Sequence, residues 1–322
     1  MSFSNDVKNE VSKIKLVSSK LMLAELSGFI RMCTNIKFGS NGPNLEFITE
    51  NASVARRIFT FLKGYSSEVE AYIRKNTQLK KNNNYIISMT DKYAIDDLLY
   101  DTNFVKNGNY FERNYKIGKH IVSDYESLRA YIRGSFLGAG SVTNPEKGYH
   151  LELIVNDEEH AEDLKELLNS INLNAKIATR KANQIVYLKE AEQISDFMAL
   201  IGANQSLLKF ENVRIVKELR NNVNRLVNCE TANLNKTVDA ATKQVADIEF
   251  LMDLGKFNSL SEDLQEIALI RLENHDSSLM EIMELTGSKY SRSGINYRLK
   301  KISNIAAKLR GVNNERNESD IN

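Results

Sequence analysis

The sequence predicts an α+β chain: a doubled helix–strand–strand–helix–strand–strand–helix unit followed by an all-helical C-terminal third. Three observations carry this prediction. The alternating stretch Leu45-Glu46-Phe47-Ile48-Thr49 recurs as Leu151-Glu152-Leu153-Ile154-Val155, an offset of 106 residues (151 − 45). Helical and alternating apolar patterns follow in the same order around both copies. After Gly202 the alternation stops, and the apolar residues take helical spacing to near the end of the chain.

The elements follow in order. The opening MSFSNDVKNEVSKIK is a capped amphipathic helix, and it lacks the apolar stretch of a signal peptide. Copy one spans about 18–102. It begins with a helix over Lys20–Cys33. Strands near Asn35–Phe38 and Asn44–Thr49 flank Gly39-Ser40-Asn41-Gly42-Pro43, a strong turn signal. A helix over Ser53–Lys63 follows Asn51, an amide suited to cap it. Strands near Glu68–Arg74 and Tyr85–Met89 precede a helix at Lys92–Tyr100. Copy two, about 125–203, repeats this order from Leu128 to Ile201, and the two copies make one domain over 1–203. The joining segment Asn103–Ser123 interleaves Lys106, Arg113, Lys116, Lys119 and His120 with Phe104, Tyr110, Phe111 and Tyr115. Such a mixture suits a nucleic-acid surface. It suits equally a solvated connector whose aromatics pack beneath it.

Residues 204–246 form a helical linker. Within it Asn221, Asn224, Arg225, Asn228 and Asn235 share one helical face. This amide stripe fits contact with DNA or the junction between domains. A last domain covers 247–312. There Ser259-Leu260-Ser261-Glu262 reads as a capping box before a helix at Leu264–Glu273. Ser278-Leu279-Met280-Glu281 repeats the signature before a short helix ending at Gly287, a residue suited to stop it. Ser288–Ser291 turns, and a longer helix runs from Arg292 to about Leu309. Short helix, glycine turn and longer helix make a helix-turn-helix. The tail 313–322 is polar and is expected to be disordered.

Charge marks the longer helix as the candidate interface. Thr286–Arg310 holds seven Lys or Arg and no Asp or Glu. Ile295, Leu299, Ile302, Ala306 and Leu309 form its apolar stripe. Arg292, Ser293, Asn296 and Tyr297 lie off that stripe near the helix start, the end that meets base edges in such motifs. Arginine pairs with guanine and asparagine with adenine, each through two hydrogen bonds. Lys289, Arg298, Lys300, Lys301 and Lys308 are placed for phosphates, which give affinity without sequence information. A basic helical hairpin and a protein-binding helix-turn-helix remain the competing readings.

The helix near the start of copy two carries a second motif. Within Tyr131–Val142, YIRGSFLGAGSV, residues Ile132–Gly140 resemble the LAGLIDADG helix of homing endonucleases. Gly134 and Gly140 take the motif's glycine positions, which let paired helices approach closely. The 106-residue offset lays Leu26–Thr34 over the same motif and keeps Gly28. In those nucleases the eighth position is a carboxylate that holds a divalent cation for in-line phosphodiester displacement. Here it is Cys33 in one copy and Ala139 in the other, so no catalytic residue and no metal are expected. One such glycine motif alone would be ordinary helix packing; two in register favour a true repeat. Thr34, in place of the closing glycine, weakens symmetric packing in copy one. The resemblance implies a pseudo-twofold saddle with a sheet concave toward a ligand.

The combination is more specific than either half. A doubled, acid-less LAGLIDADG-like domain followed by a helix-turn-helix resembles the WhiA family of bacterial regulators. The segments FSNDVKNE, YIRGSFLGAGSVTNPEKGYHLEL, NRLVNCETANLNKTVDAA and YSRSGINYRLKKI carry the likeness from Phe3 to about Leu309. It implies a helix-turn-helix similar to the promoter-binding region 4 of sigma factors. It also implies a non-enzymatic, sequence-specific DNA-binding transcriptional regulator. The family is linked to cell division and chromosome segregation, and to sporulation in actinobacterial relatives. Promoter DNA is the expected partner. One alternative is a scaffold that binds a sigma factor or partner regulator with weak DNA affinity. A remote one is a working nuclease using Glu25 or Asp157.

Composition bounds these readings. With 322 residues, 42% of them hydrophobic, the chain can fill two or three cores. A net charge of +1 makes any nucleic-acid surface local. No apolar run is long enough for a membrane. Two cysteines, Cys33 and Cys229, fit a reducing cytosol, so a cytoplasmic, nucleoid-associated protein is expected. His120, His150, His160 and His275 lack metal-ligand spacing. Phosphate-loop and nucleophile-elbow motifs are absent, and no cofactor is expected.

Overall fold

The computed structural model describes every residue except Met1, Val17, Ser40, Asn41, 76–82, Asn107 and 320–322, with side chains described through Gly311. The chain divides into two compact units, Met1–Glu218 and Leu219–Asn322.

The first unit opens with α1 (Phe3–Val11), capped by the Ser2 hydroxyl. Copy one is α2 (Ser19–Cys33), β1 (Thr34–Gly39), β2 (Gly42–Thr49), α3 (Ala52–Leu62), β3 (Val69–Lys75), β4 (Asn83–Met89) and α4 (Lys92–Asp101). The turn expected at Gly39–Pro43 includes Ser40 and Asn41, which lie outside the described residues. A small hairpin, β5 (Val105–Lys106) and β6 (Asn109–Arg113), occupies the connector. Copy two is α5 (Tyr125–Ala139), β7 (Gly140–Val142), β8 (Leu151–Val155), α6 (Glu158–Asn169), β9 (Lys176–Arg180), β10 (Asn183–Leu188) and α7 (Ala191–Ile201).

The repeat is structural. The sheets run β1-β2-β4-β3 and β7-β8-β10-β9, all antiparallel. Alternation sends Leu45 and Phe47, like Leu151, Leu153 and Val155, into the core. Even the caps correspond. The Asn51 side chain accepts from the Ser53 and Val54 amides, and Asp157, 106 residues on, accepts from the His160 amide. The aromatics of the connector differ in burial. Phe104 is buried, whereas Phe111 is 81% exposed and stacks on Phe38 with ring centroids 5.2 Å apart.

Helix α8 (Asn204–Asp253) is continuous. Its start belongs to the first unit, where Glu10 of α1 accepts from the Gln205 and Ser206 amides at 2.7 and 2.9 Å. A carboxylate is the natural cap for those orphan amides. Asn221, Asn224, Arg225 and Asn228 are exposed on its middle turns.

The second unit adds α9 (Glu262–Glu273), α10 (Leu279–Leu285) and α11 (Arg292–Ser319). Its core joins Ile248 and Leu251 of α8 to Leu264, Ile267, Ile282, Ile295, Leu299, Ile302 and Ala306. The Ser278–Glu281 capping box forms, with both reciprocal bonds present. The box expected at Ser259 does not form. Leu260 is drawn into the core, so Phe257–Ser259 make a single 3-10 turn, and Ser261 becomes the cap, its hydroxyl bonding Asp263. Gly287 takes the left-handed conformation (φ 59°) just past α10, where the lack of a Cβ removes the steric cost. Helix α11 continues to Ser319 through most of the tail, and 320–322 lie outside the described residues.

Candidate nucleic-acid interface

Helices α2 and α5 cross at backbone contact. A Cβ on Gly28 would lie 2.4 Å from the Tyr131 carbonyl oxygen, and one on Gly134 would lie 2.0 Å from that of Glu25. The two contacts are images of each other, since 28 + 106 = 134 and 25 + 106 = 131. The pair is therefore symmetric at its centre despite Thr34. Gly140 plays a different part from the one expected. It caps α5 in an extended conformation, and its missing side chain makes room for Phe136 of its own helix. The other close approach is Gly138, where a Cβ would meet Met32 at 2.8 Å.

The acid positions hold no acid. Cys33 sits partly buried, its thiol 3.4 Å from the Phe29 carbonyl oxygen, and burial pushes its pKa up to about 12. Ala139 is also partly buried. The carboxylates considered for a nuclease are engaged elsewhere. Glu25 is fully buried, and both its oxygens bind arginines: Arg57 through Nε and Nη2, and Arg133 at 3.3 Å. Arg57 also donates to the Ser12 and Ile14 carbonyls, and Arg133 to that of Ile201. Three buried charges, two carbonyls of the loop after α1 and the last carbonyl of α7 thus lock the helix pair. Asp157 is the α6 cap. Among the described residues no group of three or more His, Cys, Asp or Glu is placed to hold a metal.

Each sheet carries an ion pair on its outer face. Glu46 and its repeat equivalent Glu152 occupy the face opposite Leu45 and Leu151. Lys37 pairs with the first at 2.6 Å, and Arg180 with the second at 3.0 Å.

In the second unit the turn between α10 and α11 presents the start of α11. The Ser291 hydroxyl accepts from the Gly294 amide at 3.2 Å. Arg292 and Ser293 are exposed, Tyr297 is 67% exposed, and Asn296 is half-buried. Lys300, Lys301 and Lys308 are exposed, with no ion-pair partner among the described residues. The other two basic candidates are held by α9. Arg298 Nε donates to Asp263 at 3.0 Å, and its guanidinium lies 4.1 Å from the centre of the Tyr290 ring. Lys289 pairs with Glu266 at 2.6 Å, and Glu266 also accepts from the Tyr290 hydroxyl. That pairing raises the Lys289 pKa and lowers that of Glu266. The run of positive charge in the sequence is therefore interrupted in space by three acids from other helices, Asp263 and Glu266 of α9 and Asp247 of α8, which pairs with Arg310. Asp263 and Glu266 give no local signal of this role. Arg271, also unremarked in the sequence, is buried and holds the α9–α10 loop through the Ser277 carbonyl at 2.6 Å.

Comparisons with known proteins agree across the chain. The WhiA N-terminal LAGLIDADG-like domain matches residues 19–105, the WhiA LAGLIDADG-like domain residues 128–220, and the WhiA C-terminal HTH domain residues 223–306. A probable cell division protein WhiA of Clostridium botulinum is 46% identical over 312 residues, 96% of this chain and 99% of that one. A protein of the same description from Clostridium beijerinckii is 44% identical over the same shares. Among solved structures, full-length DUF199/WhiA from Thermatoga maritima aligns with a TM-score of 0.58 at 26% identity, covering 96% of this chain and 99% of that chain. The N-terminal LAGLIDADG domain of DUF199/WhiA aligns at 0.50 and 24% identity, covering 62% and 90%.

Proposed function

This chain belongs to the WhiA family, and on that premise we propose that it is a non-enzymatic, sequence-specific DNA-binding transcriptional regulator. One observation carries the reading. The exposed side of α11 holds Arg292, Lys300, Lys301 and Lys308 with no acid paired to them among the described residues, whereas Lys289 and Arg298 are tied to α9 and Arg310 to Asp247 of α8. Arg292, Ser293, Asn296 and Tyr297 read base edges from the helix start, and Lys300, Lys301 and Lys308 contact phosphates. Lys289 and Arg298 position α11 first and reach phosphates second. The amide stripe of α8 is a further candidate for DNA contact, being exposed.

The saddle supplies fold rather than chemistry. Its two motif positions lack the carboxylate, and nearby Glu25 is spent on arginines. The relatives' name, probable cell division protein, supports a role in expressing division genes. Scaffolding of a sigma factor or partner regulator is the alternative. A cytoplasmic protein at the nucleoid fits this reading; among the described residues no helix is long and apolar enough to cross a membrane. The deciding experiment is immunoprecipitation of the chromosome-bound protein, followed by mobility shifts on recovered and scrambled duplexes. Equal affinity for both sinks the sequence-specific reading, and nicking of plasmid in Mg²⁺ sinks the non-enzymatic one.

A further inference from the structure

The pseudo-twofold axis between α2 and α5 creates two equivalent seats, and the chain fills them differently. One seat lies between the end of α5, β7 and the start of α3. Helix α1 occupies it: Asn9 accepts from the Asn51 side chain at 3.0 Å, Ser4 accepts from the Val142 amide, and Lys8 lies over the Phe136 ring. The other seat lies between the end of α2, β1 and the start of α6. No described helix takes the place of α1 there, and a cavity of about 310 Å³ remains. Its walls come from both copies and from the connector: Arg31 and Thr34 at one end, Asn156 and Asp157 at the α6 corner, Phe104 and Arg113 over the top.

The wall is cationic and has bonds to give. Arg31 donates four hydrogen bonds, to the Ser27 hydroxyl and to the carbonyls of Thr102, Asn103 and Lys116. None of these acceptors is charged. Its Nε and the Thr34 hydroxyl are buried without a hydrogen-bond partner among the described residues. Burial of this charge lowers the Arg31 pKa, an effect that Tyr131 and the Asp163 carboxylate offset only in part, so a further anion against Nε would relieve more of the cost of burying it. Arg113 adds a second guanidinium, stacked 5.6 Å from the Phe104 ring centre and with no ion pair among the described residues. The carboxylate on the wall, Asp157, is committed to capping α6. Phe104, Met32 and Ile48 supply an apolar side. The volume is at the small end of ligand pockets, and a few convergent polar groups on an apolar wall are what such pockets offer.

We propose that this vacated seat binds a small organic anion, a phosphate monoester or carboxylate, gripped by Arg31 and Arg113 with its body against Phe104. A ligand there would bridge both copies and the connector.

Equilibrium dialysis of the full chain tests this with phenyl phosphate and benzoate as the two anionic probes and phenol as the neutral control. The expected result is saturable binding of at least one anion, one per chain, with a Kd below about 1 mM and no comparable binding of phenol. Arg113→Ala, an exposed change whose fold circular dichroism can check, should weaken binding about tenfold or more, the worth of one charge-assisted hydrogen bond. Thr34→Val should weaken it less. Which probe binds distinguishes phosphate from carboxylate. Failure of both anions to bind, or binding that is indifferent to Arg113→Ala and Thr34→Val, overturns the proposal.

Discussion

The motif helices of the first unit and the last helix of the second use charge in opposite ways. Around α2 and α5 the Glu25 charge is buried and answered within the fold by Arg57 and Arg133. Along the outer side of α11, Arg292, Lys300 and Lys301 meet solvent with no ion-pair partner among the described residues. Buried, satisfied charge fixes geometry. Exposed, unanswered charge is available to a partner. The comparison teaches that buried charge in the first unit serves architecture, while the unanswered charge that the proposed DNA surface would use lies on the second unit. Changes to the first unit should therefore alter stability, and changes to α11 should alter DNA affinity.

The largest effect should come from Glu25→Ala. Removing one partner of a buried ionic network leaves two guanidiniums uncompensated, a loss of roughly 3–5 kcal/mol in unfolding free energy. Urea denaturation reads it directly. A loss too small to measure would mean that the network is solvated and that the buried-charge half of the comparison is wrong. Gly134→Ala comes next, at about 1–3 kcal/mol, because the new methyl group would press on the Glu25 carbonyl of the facing helix. Gly148→Ala, with nothing within 4 Å, is the matched neutral control. Equal melting temperatures for the two would place the helix crossing elsewhere.

On α11 the readout changes. Arg292→Ala and Asn296→Ala should each cost roughly 1–3 kcal/mol of cognate affinity and relax preference at one base position, with stability unmoved. Arg298→Ala should behave like a first-unit variant, lowering the melting temperature, because it ties α11 to Asp263 and Tyr290. If Arg298→Ala instead relaxes specificity at full stability, Arg298 has been placed on the wrong side of the comparison.

His160 gives a pH handle on the buried side. It lies against the Tyr131 hydroxyl at 2.8 Å, and burial pushes its pKa down to about 3. An unfolded histidine titrates near pH 6.5. Between those values the unfolded state binds the extra proton, so stability falls as the pH drops through about 6.5 toward 3. The slope is at most about 1.4 kcal/mol per pH unit for this one proton. His160→Gln should flatten that part of the acid limb, and an unchanged limb would assign it to other groups. Lys301→Ala should have the smallest effect: weaker binding to all sequences alike, with the salt dependence reduced by about one phosphate contact. A change in the cognate-to-scrambled ratio would move Lys301 from phosphates to bases.

What the sequence determined by itself was whatever local chemistry writes down. The repeat, its strand alternation, the caps at Asn51 and Ser278, the Gly287 stop and the apolar stripe of α11 are all local patterns, and the fold returns each of them. The emptiness of the acid positions was also plain, because Cys33 and Ala139 are simply the wrong residues. Tertiary structure decided everything that depends on which element faces which. It put Gly138 at the helix crossing and Gly140 at a cap, since only the crossing point selects which glycine meets the other helix. It moved the α9 cap from Ser259 to Ser261, because the core claimed Leu260. It neutralised Lys289 and Arg298 with Glu266 and Asp263, acids more than twenty residues away along the chain and invisible to a count of charge along one helix. It also filled one of two equivalent seats with α1 and left the other as a cavity, because a duplicated unit with a single leading helix has only one to give.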